Sequence, residues 1–111
     1  MGWGFLENVY RNAMVFGLRE MGASVHCEVP LPVYYRRHLV GEYRADLIVD
    51  DRVIVEVKAV ELLSQAHRAQ LLNYLTATSI EIGMLLNFGT RPAYERVVFS
   101  NERKEPRPLL F

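Results

Sequence analysis

The spacing of apolar residues along the chain alternates between helical and strand-like. Residues 4–21 carry apolar side chains at helical intervals, and Gly22 marks a stop, so the pattern predicts a first helix there. A second helix is predicted over residues 62–78. Its apolar positions are Ala66, Ala69, Leu71, Leu72 and Leu75.

The remaining segments alternate or run apolar in the manner of strands. Pro30 and Pro32 punctuate the first of them, and Gly41 predicts a bulge or bend in the second. The predicted strands cover residues 25–29, 38–49, 53–59, 80–88 and 94–99. The resulting order, α-β-β-β-α-β-β, predicts an α/β (α+β) fold in which helices pack on a β-sheet.

Length and composition favour a single domain over residues 1–111. The segment over residues 100–111 contains two prolines and five charged side chains, and we expect it to be a loosely attached tail. There is no signal-peptide pattern and no apolar run near the ~20 residues that cross a bilayer, so no membrane association is expected. A single cysteine, Cys27, cannot form an intrachain disulfide, which favours a cytoplasmic protein.

The charge balance does not favour nucleic-acid binding, because 13 basic and 13 acidic residues cancel. The choice of basic residue is more informative. Eleven are Arg and only two are Lys, at positions 58 and 104. Lys58 in the middle of an apolar strand is therefore an unusual choice for this chain.

Lys58 lies two positions after Glu56 on the strand that follows the turn 50–52. Side chains alternate between the faces of a strand, so both residues share a face with Ile54. If the turn has three residues, Asp46 on the preceding strand lies directly opposite Glu56, with Cβ atoms about 5 Å apart. A two-residue turn would separate the two carboxylates onto different faces.

Opposed carboxylates repel unless a cation lies between them. Mg²⁺, for which Mn²⁺ is a substitute, binds one or two carboxylates together with water and phosphate oxygens. We therefore expect Asp46 and Glu56 to bind the metal, together with the Val57 carbonyl, and Lys58 to assist attack by water. The alternative is a solvated surface strand in which Asp46 pairs with Arg44 or Arg52.

Each helix contributes polar candidates to such a site. On the second helix, His67, Gln70 and Tyr74 share a face. Gln70 would hold a water or phosphate and Tyr74 would contact a nucleic-acid backbone; alternatively, Tyr74 is a core residue and Gln70 a surface amide. For His67 the structural interpretation is preferred. On the first helix, Glu7 is either a third carboxylate near the metal or the partner of Arg11 in an exposed ion pair.

Several segments together resemble the GxxExxY protein family of the PD-(D/E)XK nuclease superfamily. Residues 4–10 fit G-x-x-E-x-x-Y, and further likeness lies in residues 29–35, 43–46, 53–60, 69–75 and 86–89. The resemblance implies a restriction-endonuclease-like mixed sheet flanked by helices. It also implies Glu7 as a helix-borne acid, Asp46 and Glu56 as metal ligands and Lys58 as the catalytic lysine. Gln70 and Tyr74 match the Q-x-x-x-Y element of RecB-type exonucleases.

The leading hypothesis is Mg²⁺-dependent hydrolysis of nucleic-acid phosphodiester bonds, with DNA as the expected substrate. Candidate phosphate contacts are Arg36, Arg37, His38 and Arg44. One competing hypothesis is a catalytically silent binding or assembly module with the same fold. Another is a phosphoesterase that acts on small nucleotides through the same site. Exposed strand edges also make a homodimer an expected possibility.

Overall fold

The computed structural model describes the backbone of residues 3–104 and the side chains of residues 6–32 and 36–104. Gly4 and Phe5 of the predicted motif therefore lie outside the described side chains. The elements are α1 (Trp3–Glu20), β1 (Val25–Tyr35), β2 (His38–Val49), β3 (Val53–Lys58), α2 (Gln65–Thr76), β4 (Ile82–Asn87), β5 (Ala93–Val98) and a short 3-10 helix (Asn101–Arg103). Their order confirms the predicted α-β-β-β-α-β-β fold.

The strands form one five-stranded mixed sheet in the order β1-β2-β3-β4-β5. Neighbouring strands are antiparallel except β3 and β4, which are parallel and joined through α2. Two apolar clusters pack on the sheet. One joins α1 to alternate sheet residues such as Val55 and Val57, and the other joins α2 to residues such as Ile54 and Leu85. Alternation therefore assigns Glu56 and Lys58 to the side of the sheet that α2 covers.

The turn between β2 and β3 has three residues, as one of the two predicted registers requires. Leu47 pairs with Val55 and Val49 pairs with Val53. The turn contains no glycine, but Asp50 and Asp51 adopt φ values of 53° and 55°. Aspartate tolerates this left-handed conformation better than most residues. The Asp50 carboxylate also accepts a 2.8 Å hydrogen bond from the Ser24 amide, which fixes the turn against the start of β1.

The prediction that β1 is short was wrong. The strand continues through both prolines, and Pro30 and Pro32 lie opposite Arg44 and Glu42. Because β1 is an edge strand of the sheet, a proline there removes no hydrogen bond that the sheet needs. The predicted irregularity at Gly41 is confirmed: the register shifts between Val33, which faces Gly41, and Tyr34.

Two further differences concern the ends of elements. The second helix is shorter than predicted, because Ser64 caps it and residues 62–64 precede it. Within the expected loose tail, Lys104 is held by hydrogen bonds of 2.8 and 2.9 Å to the Thr78 and Ile80 carbonyls. The tail is therefore anchored as far as residue 104, and residues 105–111 lie outside the described part of the chain. No described helix is both long and apolar enough to cross a bilayer.

Candidate active site

The hydrogen-bonded pairing of β2 and β3 stops where two carboxylates meet. The last paired residues are Leu47 and Val55, one position short of Asp46 and Glu56. The Asp46 amide donates to Glu56 Oε1 at 3.1 Å, and the Val57 amide donates to Asp46 Oδ2 at 2.8 Å. Side-chain carboxylates thus accept the backbone hydrogen bonds that a continued ladder would satisfy. The structure brings Asp46 and Glu56 together, as the three-residue turn requires.

Glu56 is buried, with only 3% of its surface exposed. Burial, followed by the charge of Asp46, raises the pKa of the Glu56 carboxyl from 4.5 to about 8. The hydrogen bond from the Asp46 amide and the charge of Lys58 oppose this rise, and Glu7 adds to it. A buried carboxylate in this position therefore favours either a proton or a nearby cation. The surface-strand alternative does not hold for Glu56.

Lys58 ends β3 and is partly exposed. Its ammonium group forms no ion pair with the described residues, although its charge lowers the pKa of the nearby Glu56 carboxyl. Its backbone carbonyl accepts a 2.8 Å hydrogen bond from the Phe88 amide. This hydrogen bond to the residue after β4 fixes the backbone of Lys58, whereas its side chain is partly exposed.

A buried asparagine holds the chain immediately after Lys58. Asn87, 3% exposed, accepts hydrogen bonds from the amides of Val60 and Gly89 and donates one to the Val60 carbonyl at 2.9 Å. A Cβ on Gly89 would lie 1.9 Å from the Val60 oxygen, so only glycine fits there. Asn87 and Gly89 therefore position the end of β3. They lie in a segment of the family resemblance, but no role was predicted for them.

Helix α1 brings a second charged group to the pair. Arg11 lies 3.8 Å from Asp46 Oδ1 and 3.3 Å from Glu28 Oε1. The alternatives of a Glu7–Arg11 pair and of Asp46 pairing with Arg44 or Arg52 are therefore wrong. Glu7 is close enough to raise the pKa of Glu56. The helix is held in this orientation by Tyr10, which stacks on Phe88 with ring centroids 4.6 Å apart.

The carboxylate pair fits a divalent metal ion whose remaining ligands are water molecules. Among the described residues, no group of three or more histidine, cysteine, aspartate or glutamate side chains is placed to bind a metal. Glu7 thus does not complete a three-carboxylate cluster with Asp46 and Glu56. Two adjacent carboxylates are nevertheless the set that Mg²⁺ uses when water and phosphate oxygens supply its other ligands.

Comparison with known protein families decides the assignment. The model of the PD-(D/E)XK nuclease superfamily matches residues 1–97. The chain belongs to this superfamily. Nucleases of the PD-(D/E)XK superfamily typically use divalent metals, and their substrates are nucleic acids.

One solved structure illustrates the PD-(D/E)XK fold of the chain. The crystal structure of SSO0001 is similar, with a TM-score of 0.67 and 21% sequence identity, over 87% of this chain and 52% of that chain. At this identity the likeness shows the restriction-endonuclease-like fold alone. The chain spans about half the length of that protein. A comparison with curated proteins gave no match.

On α2, the other helix of this PD-(D/E)XK domain, the predicted residues occupy different environments. Tyr74 is 2% exposed, and its hydroxyl donates to the Arg44 carbonyl at 3.3 Å. Its pKa is raised by burial and by the charges of Glu56 and Asp46, so the hydroxyl lies near the carboxylates and remains protonated. Gln70 is partly exposed and makes no hydrogen bond with the described residues. His67 forms the capping box with Ser64, which is the preferred structural role.

The predicted phosphate-binding arginines lie at different distances from the site. Arg44 is exposed, two residues from Asp46, and its nearest carboxylate is Glu42 at 4.0 Å. Arg36 and Arg37 form the turn between β1 and β2, followed by the exposed His38. Arg37 precedes Asp46 by nine positions, which along an extended strand corresponds to about 30 Å. A substrate bound at Asp46 therefore reaches the turn that contains Arg36 and Arg37 only if it extends along the whole strand.

Proposed function

We propose that the chain is a metal-dependent nuclease of the GxxExxY type that hydrolyses phosphodiester bonds in nucleic acid. The observation that carries the proposal is the pair Asp46 and Glu56. The pair is partly buried, is cross-linked by backbone amides and is followed two residues later by an unpaired lysine. Two residues of the G-x-x-E-x-x-Y motif support it: the charge of Glu7 raises the pKa of Glu56, and Tyr10 stacks on Phe88 beside the end of β3.

In this mechanism the protein supplies two carboxylates on neighbouring strands and one lysine beside them. Asp46, Glu56 and the Val57 carbonyl would bind Mg²⁺, with Glu7 contributing charge. The metal would polarise the scissile phosphate and lower the pKa of its bound water. Lys58 would orient the attacking water or stabilise the negative charge that develops on the phosphate. The hydrogen bond from Tyr74 to the Arg44 carbonyl keeps β2 in place beneath the site.

The charge distribution favours DNA or another long polyanion over a mononucleotide. Arg44 is exposed close to the carboxylates, and Arg36 and Arg37 lie at the far turn of the same hairpin. Contacts of this kind orient a nucleic-acid backbone without reading its sequence. Binding of an oligonucleotide that spans both ends should therefore weaken with added salt.

The decisive experiment is cleavage of single- and double-stranded DNA and RNA in Mg²⁺ or Mn²⁺. Lys58→Ala should lower the rate by about 10²- to 10⁴-fold, the range for loss of a group that assists proton transfer or charge stabilisation. Arg52→Ala is the matched control, because Arg52 is exposed in the β2–β3 turn, at the opposite end of β3 from Lys58. Equal cleavage by wild type and Lys58→Ala would refute the catalytic assignment.

A second candidate function is a silent binding or assembly module with the nuclease fold. Two observations favour it: the formal net charge is zero, and the guanidinium of Arg11 already provides a cation beside Asp46. Under this alternative, calorimetry would show either no Mn²⁺ binding or binding that Asp46→Asn and Glu56→Gln leave unchanged. Saturable binding that both substitutions abolish would exclude it.

A further inference from the structure

Arg11 is the described basic side chain that contacts the proposed metal ligands. One of its guanidinium nitrogens lies 3.8 Å from Asp46 Oδ1, and another lies 3.3 Å from Glu28 Oε1. The arginine is mostly buried, with 18% of its side chain exposed. A guanidinium in this setting is held by both carboxylates, since a buried charge needs a partner.

Glu28 lies on β1 in a conformation that a regular strand does not use. Its φ is 48°, in the left-handed region, where a non-glycine residue is uncommon. The pairs on either side are Cys27 with Leu47 and Val29 with Ala45, so Glu28 and Asp46 are the positions between them that do not pair. Backbone strain of this kind persists where surrounding contacts hold it and is frequent at functional sites.

Three adjacent strands therefore each carry a carboxylate at the same level of the sheet. Glu28, Asp46 and Glu56 follow one another across β1, β2 and β3, and Asp46 is the middle one. Three such charges repel, and Arg11 neutralises the two on the β1 side. A divalent cation at Asp46 and Glu56 would be repelled by the same guanidinium.

We propose that Arg11 is a positioning residue that stabilises Asp46 in the metal-free site and transfers fully to Glu28 when a divalent cation binds. Glu28 is then the acceptor that allows Arg11 to leave Asp46 without becoming an unpaired buried charge. This inference rests on the proposed function in one respect, since it assumes that the cation binds at Asp46.

Titration calorimetry with Mn²⁺ tests the proposal. Arg11→Gln should bind Mn²⁺ about tenfold more tightly, because one repelling charge near the metal is removed. Glu28→Gln should bind about threefold more weakly, because Arg11 then has Asp46 as its remaining partner. Arg52→Gln is the matched control: it removes one exposed positive charge from the same hairpin without contacting Asp46, and its affinity should stay within about twofold of wild type.

Thermal unfolding separates this role from a purely structural one. Without metal, Arg11→Gln should melt at a lower temperature than wild type, and saturating Mn²⁺ should remove most of the difference. An equal loss of melting temperature with and without Mn²⁺ would overturn the proposal, as would unchanged or weaker Mn²⁺ binding by Arg11→Gln. If Arg11→Gln does not fold, unchanged or tighter binding by Glu28→Gln would overturn it.

Asp46→Asn distinguishes failure of this inference from failure of the proposed function. If Asp46→Asn binds Mn²⁺ as wild type does, the metal site itself is misplaced and the proposed function fails. If Asp46→Asn abolishes binding but Arg11→Gln does not strengthen it, the proposed function stands and the role of Arg11 is refuted.

Discussion

Helices α1 and α2 pack on the same sheet but relate to the two carboxylates in different ways. From α1, Arg11 contacts Asp46, and Glu7 raises the pKa of Glu56. From α2, the nearest predicted residue is Tyr74, whose ring is buried and whose hydroxyl bonds to a backbone carbonyl. The first helix therefore changes the charge of the site, whereas the second supports the strands that form it.

The difference shows that helical spacing identifies a shared face but not what the face contacts. Gln70 and Tyr74 are four residues apart, yet Tyr74 is buried and Gln70 is partly exposed. Glu7 and Arg11 have the same spacing, and they do not pair with each other because Glu28 and Asp46 are the partners of Arg11. Contacts with other strands, rather than contacts within the helix, determine both outcomes.

The largest expected effect is the loss of the Tyr74 ring. Tyr74→Ala should reduce the free energy of unfolding by about 3–5 kcal/mol, the range for removal of a buried aromatic side chain. The ring contacts Tyr43 edge to face, with centroids 5.2 Å apart, so its loss also leaves a cavity beside β2. Urea denaturation monitored by circular dichroism measures the change.

Tyr74→Phe is the control for this comparison of the helices. It keeps the ring and removes only the hydrogen bond to the Arg44 carbonyl, so it should cost about 1 kcal/mol. If Tyr74→Phe leaves stability unchanged but weakens oligonucleotide binding severalfold, the tyrosine contacts nucleic acid as the family resemblance implies, and the contrast between the helices is wrong.

The order of elements was predictable because the apolar periodicity changes clearly at each boundary. The sequence does not determine the turn register, since no glycine identifies the turn. In the folded chain the turn is closed by the hydrogen bond from the Arg52 amide to the Val49 carbonyl, and Asp50 accepts another from the Ser24 amide 26 positions away. Such a contact depends on the folded sheet and leaves no local signal. The continuation of β1 through Pro30 and Pro32 was missed for a similar reason, because sequence does not show that the strand is at an edge.

Within the site, the sequence predicted the residues on one hairpin better than those brought from elsewhere. Asp46 and Glu56 follow from strand alternation once the turn is specified. The sequence indicates Arg11 only as a partner of Glu7 and indicates no role for Glu28. Their contacts depend on the packing of α1 and on a left-handed residue within a strand. Asn87 did carry a signal in the sequence. It is a polar residue at the end of an apolar strand, two positions before a glycine, and this pattern is typical of a side chain that binds a turn.

The next effect in size is a dependence of stability on pH. It arises from Glu56, which lies on the side of the sheet that α2 covers. Its pKa is about 8 in the folded protein against 4.5 as its ordinary value. Between these values the folded chain retains a proton that the unfolded chain has released. Stability of the metal-free protein should therefore fall as pH rises from about 4.5 to about 8.

Urea denaturation at several pH values measures this slope, and Glu56→Gln should remove it. The variant should equal wild type most closely near pH 4 and exceed its stability near pH 8.5, since the glutamine never becomes charged. If wild type keeps the same stability across this interval and matches Glu56→Gln at every pH, the charge of Lys58 and the hydrogen bond from the Asp46 amide offset the burial of Glu56, and the predicted slope is refuted.

The smallest effect contrasts Glu7 of α1 with Gln70 of α2. Glu7→Gln should weaken Mn²⁺ binding about threefold, because it removes a negative charge that already influences Glu56. Gln70→Ala should leave Mn²⁺ affinity unchanged and alter stability by less than about 0.5 kcal/mol, as for other partly exposed residues without a partner. Glu20→Gln, an exposed change of the same charge at the other end of α1, controls for net charge. The contrast between the helices fails if Gln70→Ala weakens Mn²⁺ binding more than Glu7→Gln does, because α2 would then supply a ligand and α1 only packing.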